Sequence, residues 1–258
     1  MSISTHSVFY YGLEIDETNN KLNFDEGAGE LTATLNNGFY THEDLALEIK
    51  QKMTTASTLP QVYAVLFDRV NRTFQISSDN NFSLLVATGS QSAVSCFPTI
   101  GFSLTDRSGD DTYSGNLATG KVYYPQFFLQ DYLDDRFMVE KIDATVSESA
   151  DGQVQTVFFG TRKFVKMNIK LITDKPQDGL VIRNNPNGVN DFLDFMNALI
   201  DKRPVEFMPN INDRNTFKTL IIEDIPGGKD GTGFEIVEMI GQNLPEYYET
   251  GLLKFRVR

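Results

Sequence analysis

The sequence predicts a mainly β protein of the α+β class in two domains: a small antiparallel sheet with one helix, then a β-sandwich or barrel with one helix. Three observations predict this. Period-2 runs separated by Gly- and Asn-rich turns recur along most of the 258 residues. Only two stretches, residues 41–53 and 189–201, repeat apolar side chains at helical spacing. Between them, the segment from Leu104 to Lys121 is rich in Ser, Thr, Asp and Gly, the composition of a linker or long surface loop. Taken as a boundary, it places the first domain at 1–103 and the second at 122–258.

The elements follow in order. VFYYGLEI, KLNFDE and LTATL, joined through TNNK and GAGE, read as an antiparallel meander over residues 3–35. The period then changes. Thr41 is suited to cap a helix whose first turn carries Glu43 and Asp44, where the helix dipole favours negative charge. Leu45, Ile49 and Met53, joined by Ala46, form one apolar stripe, and the helix stops before Thr58 and Pro60. In the next strand Tyr63, Val65 and Phe67 share one face and Val62, Ala64 and Leu66 the other, which predicts cover on both sides. Asp68 and Asn71 mark the turn into TFQIS, and Asp79 to Asn81 mark the next turn.

Beyond Lys121 the strand signals resume with VYYPQFFL, RFMVEKIDATVSE, QVQTVFFGTRKFVKMNIKLIT, VEFMPNI, FKTLIIED, GFEIVEMI and LLKFRVR. Within them, VNDFLDFMNALID reads as a helix capped by Asn187 or Asn190, with Phe192, Phe195, Met196 and Leu199 on one face.

Composition bounds the function. With 40% hydrophobic and 22% charged residues the chain can bury a core. Twenty Phe and ten Tyr against no Trp point to cores built on Phe. The formal charge of −12 is spread evenly along the sequence, so no broad basic footprint for phosphate contacts is expected, nor stable nucleic-acid binding. The N-terminus has neither a basic n-region nor an apolar h-region, and no run approaches a spanning helix, so no membrane association is expected.

Chemistry-bearing residues are sparse. Cys96 lies in the apolar AVSCFPTIGF and reads as a small buried hydrophobe in a reducing compartment. His6 and His42 are the two histidines, one near the terminus and one in a helical first turn, and neither is placed as a base for a nucleophile. Asp110/Asp111 and Asp134/Asp135 are adjacent pairs, which on strands point to opposite faces and make no acid/base couple. A calcium role for Asp110 and Asp111 lacks EF-hand spacing. The GGKDGTG run at 227–233 lacks the phosphate-loop spacing and reads as a hairpin loop. The expectation is no catalytic, cofactor or metal site, and no enzyme. In NLPEYYETGLLKF, Tyr247 and Tyr248 are candidates for a subunit interface, the alternative being that both cover a barrel end.

The stretch from Gly38 to Phe102 carries a resemblance. GFYTHEDLALEIKQKM followed by YAVLFD, RTFQISSD, FSLLVATG and PTIGF resembles a segment of structural proteins of tailed bacteriophages, a "GxYT…La" helix leading into short strands and a closing "lGF". The terminal region, DFLDFMNALIDKRPVEFMPN through LLKFRVR, is similar to tail-associated proteins of long-tailed phages. The resemblance implies a virion structural protein forming a homo-oligomeric ring in the tail or baseplate. A distal tail protein around the DNA channel is the first choice. Its partners would be copies of itself and other virion proteins, with assembly in the host cytoplasm. Alternatives are a tail tube, neck or minor capsid subunit, or a receptor-binding adhesin.

Overall fold

The protein is mainly β, with two α-helices among the described residues. The structure, a computed structural model, describes residues 7–123, 133–148, 153–169, 189–210, 212–224, 237–238 and 248–258. The strands are β1 (Val8–Tyr11), β2 (Leu13–Ile15), β3 (Lys21–Asp25), β4 (Glu30–Thr34), β5 (Gly38–Tyr40), β6 (Tyr63–Asp68), β7 (Thr73–Leu84), β8 (Arg107–Ser114) and β9 (Val122–Tyr123). They continue with β10 (Leu133–Glu148), β11 (Val154–Asn168), β12 (Val205–Met208), β13 (Lys218–Asp224), β14 (Val237–Glu238), β15 (Tyr248–Glu249) and β16 (Leu252–Val257). Helix α1 spans His42–Ala56 and α2 spans Val189–Ile200.

Two compact units result, one of residues 10–122 and one of residues 1–9 with 123–258. The chain passes from one to the other within β1 and returns within β9. This differs from the boundary read in the sequence in two ways. The start of the chain belongs with the C-terminal strands, because β1 lies between β12 and β9 in a seven-stranded sheet ordered β10-β11-β16-β13-β12-β1-β9. VFYY is therefore not the first strand of a local meander. Leu104–Lys121 is not a linker either. It holds β8, which pairs with β7 in a register running from Gln75↔Ser114 to Leu84↔Arg107. Backbone pairing holds this polar segment in place, with Tyr113 as the one buried side chain of β8.

In the 10–122 unit the order is β4-β3-β7-β6 with β8 on the other side of β7, and β2 pairs with β5. β3 and β4 form a hairpin whose turn is organised by Asp25, its Oδ1 accepting from the Gly27 and Gly29 amides at 2.7 and 3.1 Å. Helix α1 starts as expected: the Thr41 hydroxyl accepts from the Asp44 amide at 3.0 Å, satisfying one of the free first-turn donors. Besides His42, its buried residues are Leu45, Ala46, Ile49 and Met53, the stripe read in the sequence. They join one core with Phe24, Tyr63, Phe74, Phe82, Phe97 and Phe102. Edge-to-face rings run through it, with Phe24–Tyr63, Tyr63–Phe82 and Phe82–Tyr113 centroids 5.6, 5.4 and 5.0 Å apart.

Strand β7 runs unbroken through Asp79–Asn81, where a turn was expected. The irregularity is absorbed as a register shift against β8 between Ser77 and Phe82. The closing PTIGF turn is fixed by Gly101. Its φ is +87°, its carbonyl accepts from the Asn116 and Leu117 amides, and an added Cβ would come 2.2 Å from the Leu117 carbonyl oxygen. Gly101→Ala should therefore destabilise this unit by about 1–3 kcal/mol in chemical denaturation. Unchanged stability would mean that the turn relaxes freely.

In the other unit, Phe9 of β1 sits fully buried between Phe195 of α2 and Phe207 of β12, at 5.0 and 4.8 Å. Tyr123 of β9 stacks on Phe195 at 4.7 Å. Helix α2 buries Phe195, Met196, Ala198 and Leu199, and just beyond its end the Lys202 ammonium donates to the Ile222 carbonyl of β13 at 3.2 Å. Asn187 lies outside the described residues, as does the side chain of Phe192.

Candidate interaction surfaces

Tyr247 lies outside the described residues. Tyr248 is in β15, opposite Glu238 of β14, and only its backbone is described. His6 and residues 227–233 also lie outside them. Asp134 and Asp135 fall where the β10–β11 register jumps, between the pairs Leu133↔Met167 and Met138↔Val165. Asp110 and Asp111 are exposed on β8, where the Asp110 amide donates to the Tyr113 hydroxyl at 2.8 Å and the Asp111 amide to the Asp110 carboxylate at 2.8 Å. Among the described residues, no group of three or more His, Cys, Asp and Glu side chains could hold a metal ion, and no helix is long and apolar enough to cross a membrane.

His42 and Cys96 serve packing. The His42 imidazole is buried and stacked on Phe67 with centroids 4.1 Å apart, with Tyr10 edge-on at 5.9 Å. Beside it the Arg69 guanidinium reaches Glu43 at 2.9 Å while the Arg69 carbonyl accepts from the Tyr10 hydroxyl at 2.9 Å. Cys96 is fully buried, and burial pushes its thiol up, away from the reactive thiolate.

Three carboxylates that the sequence reading did not single out fasten loops. Glu26 is buried and accepts from the Ser57 and Tyr63 hydroxyls at 2.6 and 2.8 Å and from the Thr58 and Leu59 amides, tying the exit of α1 to the end of β3. Burial first, then this carboxylate, pushes the Tyr63 hydroxyl up. Glu30 accepts from the Ser90 hydroxyl and amide, both at 2.7 Å, and from Asn23. Asp106 accepts from the Thr88 hydroxyl at 2.6 Å and from the Ala87 and Thr88 amides.

The Ser90 hydroxyl and amide hold the Glu30 carboxyl below its usual range. At Asp106, burial pushes the carboxyl up, but the Thr88 and Ala87 hydrogen bonds outweigh it and the net direction is down. Carboxyls lowered in the folded state contribute stability above the ordinary carboxylate pKa of about 4, and that contribution is lost as pH falls through the folded value. Thermal melts of the 10–122 core should therefore drop as the pH falls below about 5, and Asp106→Asn should flatten that drop. An identical pH profile in the variant would contradict the assignment.

Two surfaces remain that single-chain packing does not explain. The first is on β6. Tyr63 and Val65 are buried as expected, yet the opposite face of the strand is open: Val62 is 64% exposed, Leu66 63%, and Ala64 lies exposed between them. The expected cover on both sides is thus supplied on one side only, because α1 and the core occupy that face. β6 ends the sheet, with β7 as its one strand neighbour among the described residues. No charged residue occurs from Thr54 to Phe67.

The second is the β10–β11 hairpin. Its strands have 16 and 15 residues and pair from Met138↔Val165 out to Glu148↔Val154, with a bulge between Asp143 and Ala144. β16 covers β11 along Phe164–Asn168 alone. From Val154 to Lys163 the hairpin is a two-stranded ribbon among the described residues, about 30 Å long at the usual strand rise. Gln153, Val154, Thr161, Arg162 and Lys163 along it are exposed.

No protein-family model matches the chain, and no curated protein is similar enough to match it.

Proposed function

We propose that this chain is a non-enzymatic structural subunit of a tailed-phage virion that assembles into a ring in the tail or baseplate, with the distal tail as first choice. The observation that carries the reading is the β10–β11 ribbon. A two-stranded ribbon is marginally stable alone in water, and one that, among the described residues, outruns its sheet by about 30 Å gains a third strand or a packed face when another molecule supplies it. The exposed apolar Ala64 and Leu66 on the edge strand β6, which is charged at its last residue Asp68 alone, support the same reading, because exposed edge strands with little charge pair readily with other chains. An arm and a receptive edge at different places on one subunit make a heterologous contact, which closes into a ring when the rotation allows. The likeness of residues 38–102 to phage structural proteins supplies the setting.

Native mass spectrometry of the full chain, with negative-stain imaging, tests this. The expected result is a discrete ring, lost when residues 145–157 are replaced by a short Gly-Ser turn that leaves the rest of the fold intact. Compact trimers would favour an adhesin. A monomer at all concentrations, or a ring that survives the shortened arm, would contradict the proposal.

A further inference from the structure

The acidic chain gathers cations on one face of its seven-stranded sheet. The registers Phe164↔Arg256 and Lys166↔Lys254 between β11 and β16, with Ile221↔Arg256 between β13 and β16, place Lys166, Lys254 and Arg256 on the face opposite the buried Val165, Phe255 and Ile222. Arg162 lies further along the same face of β11. Carboxylates stand among them too: Glu223 lies 3.2 Å from the Lys254 ammonium and 3.9 Å from Arg256, and Asp224 is the register partner of Lys254. The Lys254 ammonium also lies over the Phe164 ring at 4.5 Å.

One feature of this face favours an anion from outside. Lys166 and Lys254 are directly opposed across the strands. Like charges opposite one another destabilise a sheet, and an anionic group laid across them turns that cost into attraction. Glu223 already illustrates the fit, a single carboxylate shared between Lys254 and Arg256.

We propose that this cationic face binds carboxylates of a second copy of this chain, a contact that rests on the ring reading and adds a charge-specified joint to it. Charge complementarity points to the occupant. Residues 10–122 carry 14 acidic against 7 basic side chains. On β8, Asp110 and Asp111 are exposed, and the exposed Asp79 lies in the facing irregularity of β7. A phosphate backbone fits less well. Tight duplex binding draws on about six to ten phosphate contacts, more than this face offers.

The test measures self-association of the full-length chain by analytical ultracentrifugation at about 50 mM and about 500 mM salt, with a short DNA duplex as the competing probe. The wild type should associate more tightly at low salt, where charges are less screened. Lys166→Glu should weaken association roughly tenfold, and adding Asp110→Lys with Asp111→Lys should recover most of the loss, as complementary reversal does at a charged interface. Lys254→Gln, which removes one charge without placing an acid beside Glu223, should weaken it less, and circular dichroism melts check that each variant is folded. A ring that forms equally well in both variants overturns this inference and leaves the ring reading standing. A wild type that stays monomeric at low salt overturns both. Duplex binding that is lost in Lys166→Glu while self-association is unchanged overturns the second-copy assignment in favour of nucleic acid.

Discussion

Phe9→Ala is expected to unfold the C-terminal unit under conditions in which the 10–122 unit stays folded. The ring is fully buried and touches Phe195, Phe207 and Tyr123, side chains from a helix and two strands that meet at this point. Truncating a buried Phe costs about 3–5 kcal/mol, the lost transfer energy plus the cavity left behind, and a typical domain has only about 5–15 kcal/mol to lose. Hydrogen exchange read by mass spectrometry should show β11, β13 and β16 losing protection while α1 and β7 keep theirs. Loss of protection confined to β2–β8, with the C-terminal strands unaffected, would show that the N-terminal strand belongs to the unit that follows it in sequence.

The second large effect is expected at Ile49. This side chain has no exposure, and in Ile49→Asp a carboxylate would face Leu45, Met53 and the Phe-rich core with no partner. Burying an unpaired charge, or protonating it to avoid that, should cost about 3–5 kcal/mol in thermal or chemical unfolding of the 10–122 unit. Leu47, two residues away and 53% exposed, is the control: Leu47→Asp should change stability by no more than about 0.5 kcal/mol. Equal effects at the two positions would mean that α1 does not pack through the Leu45, Ile49 and Met53 stripe.

What could be read from the sequence was what local chemistry decides. Thr41 caps α1 because its hydroxyl meets an amide three residues on, and the stripe from Leu45 to Met53 is buried because 3.6-residue periodicity is a property of the helix itself. The mainly β class followed in the same way, from alternation and turns. Long-range pairing could not be read. VFYY is buried along its whole length, the pattern of a strand covered on both faces, but nothing local says that its neighbours are β12 and β9 rather than the next strand. SGDDTY looks like a linker because its side chains are polar, and it is a strand because backbone groups, which composition does not report, pair with β7.

The surfaces behave alike. The open face of β6 was visible as an apolar alternation, but whether a second layer covers it is a tertiary fact. The cationic face was invisible because Lys166 and Lys254 are far apart in sequence and become neighbours only through register, while the charge averaged over the chain stays negative.

The central claim is that this chain is a ring subunit of a phage tail or baseplate, and locating it in the particle tests that most directly. Electron microscopy of virions carrying a labelled copy of the chain should show the label at the tail or baseplate, as a closed ring around the channel axis. Label on the capsid shell or at fibre tips, or its absence from purified virions, would contradict the account.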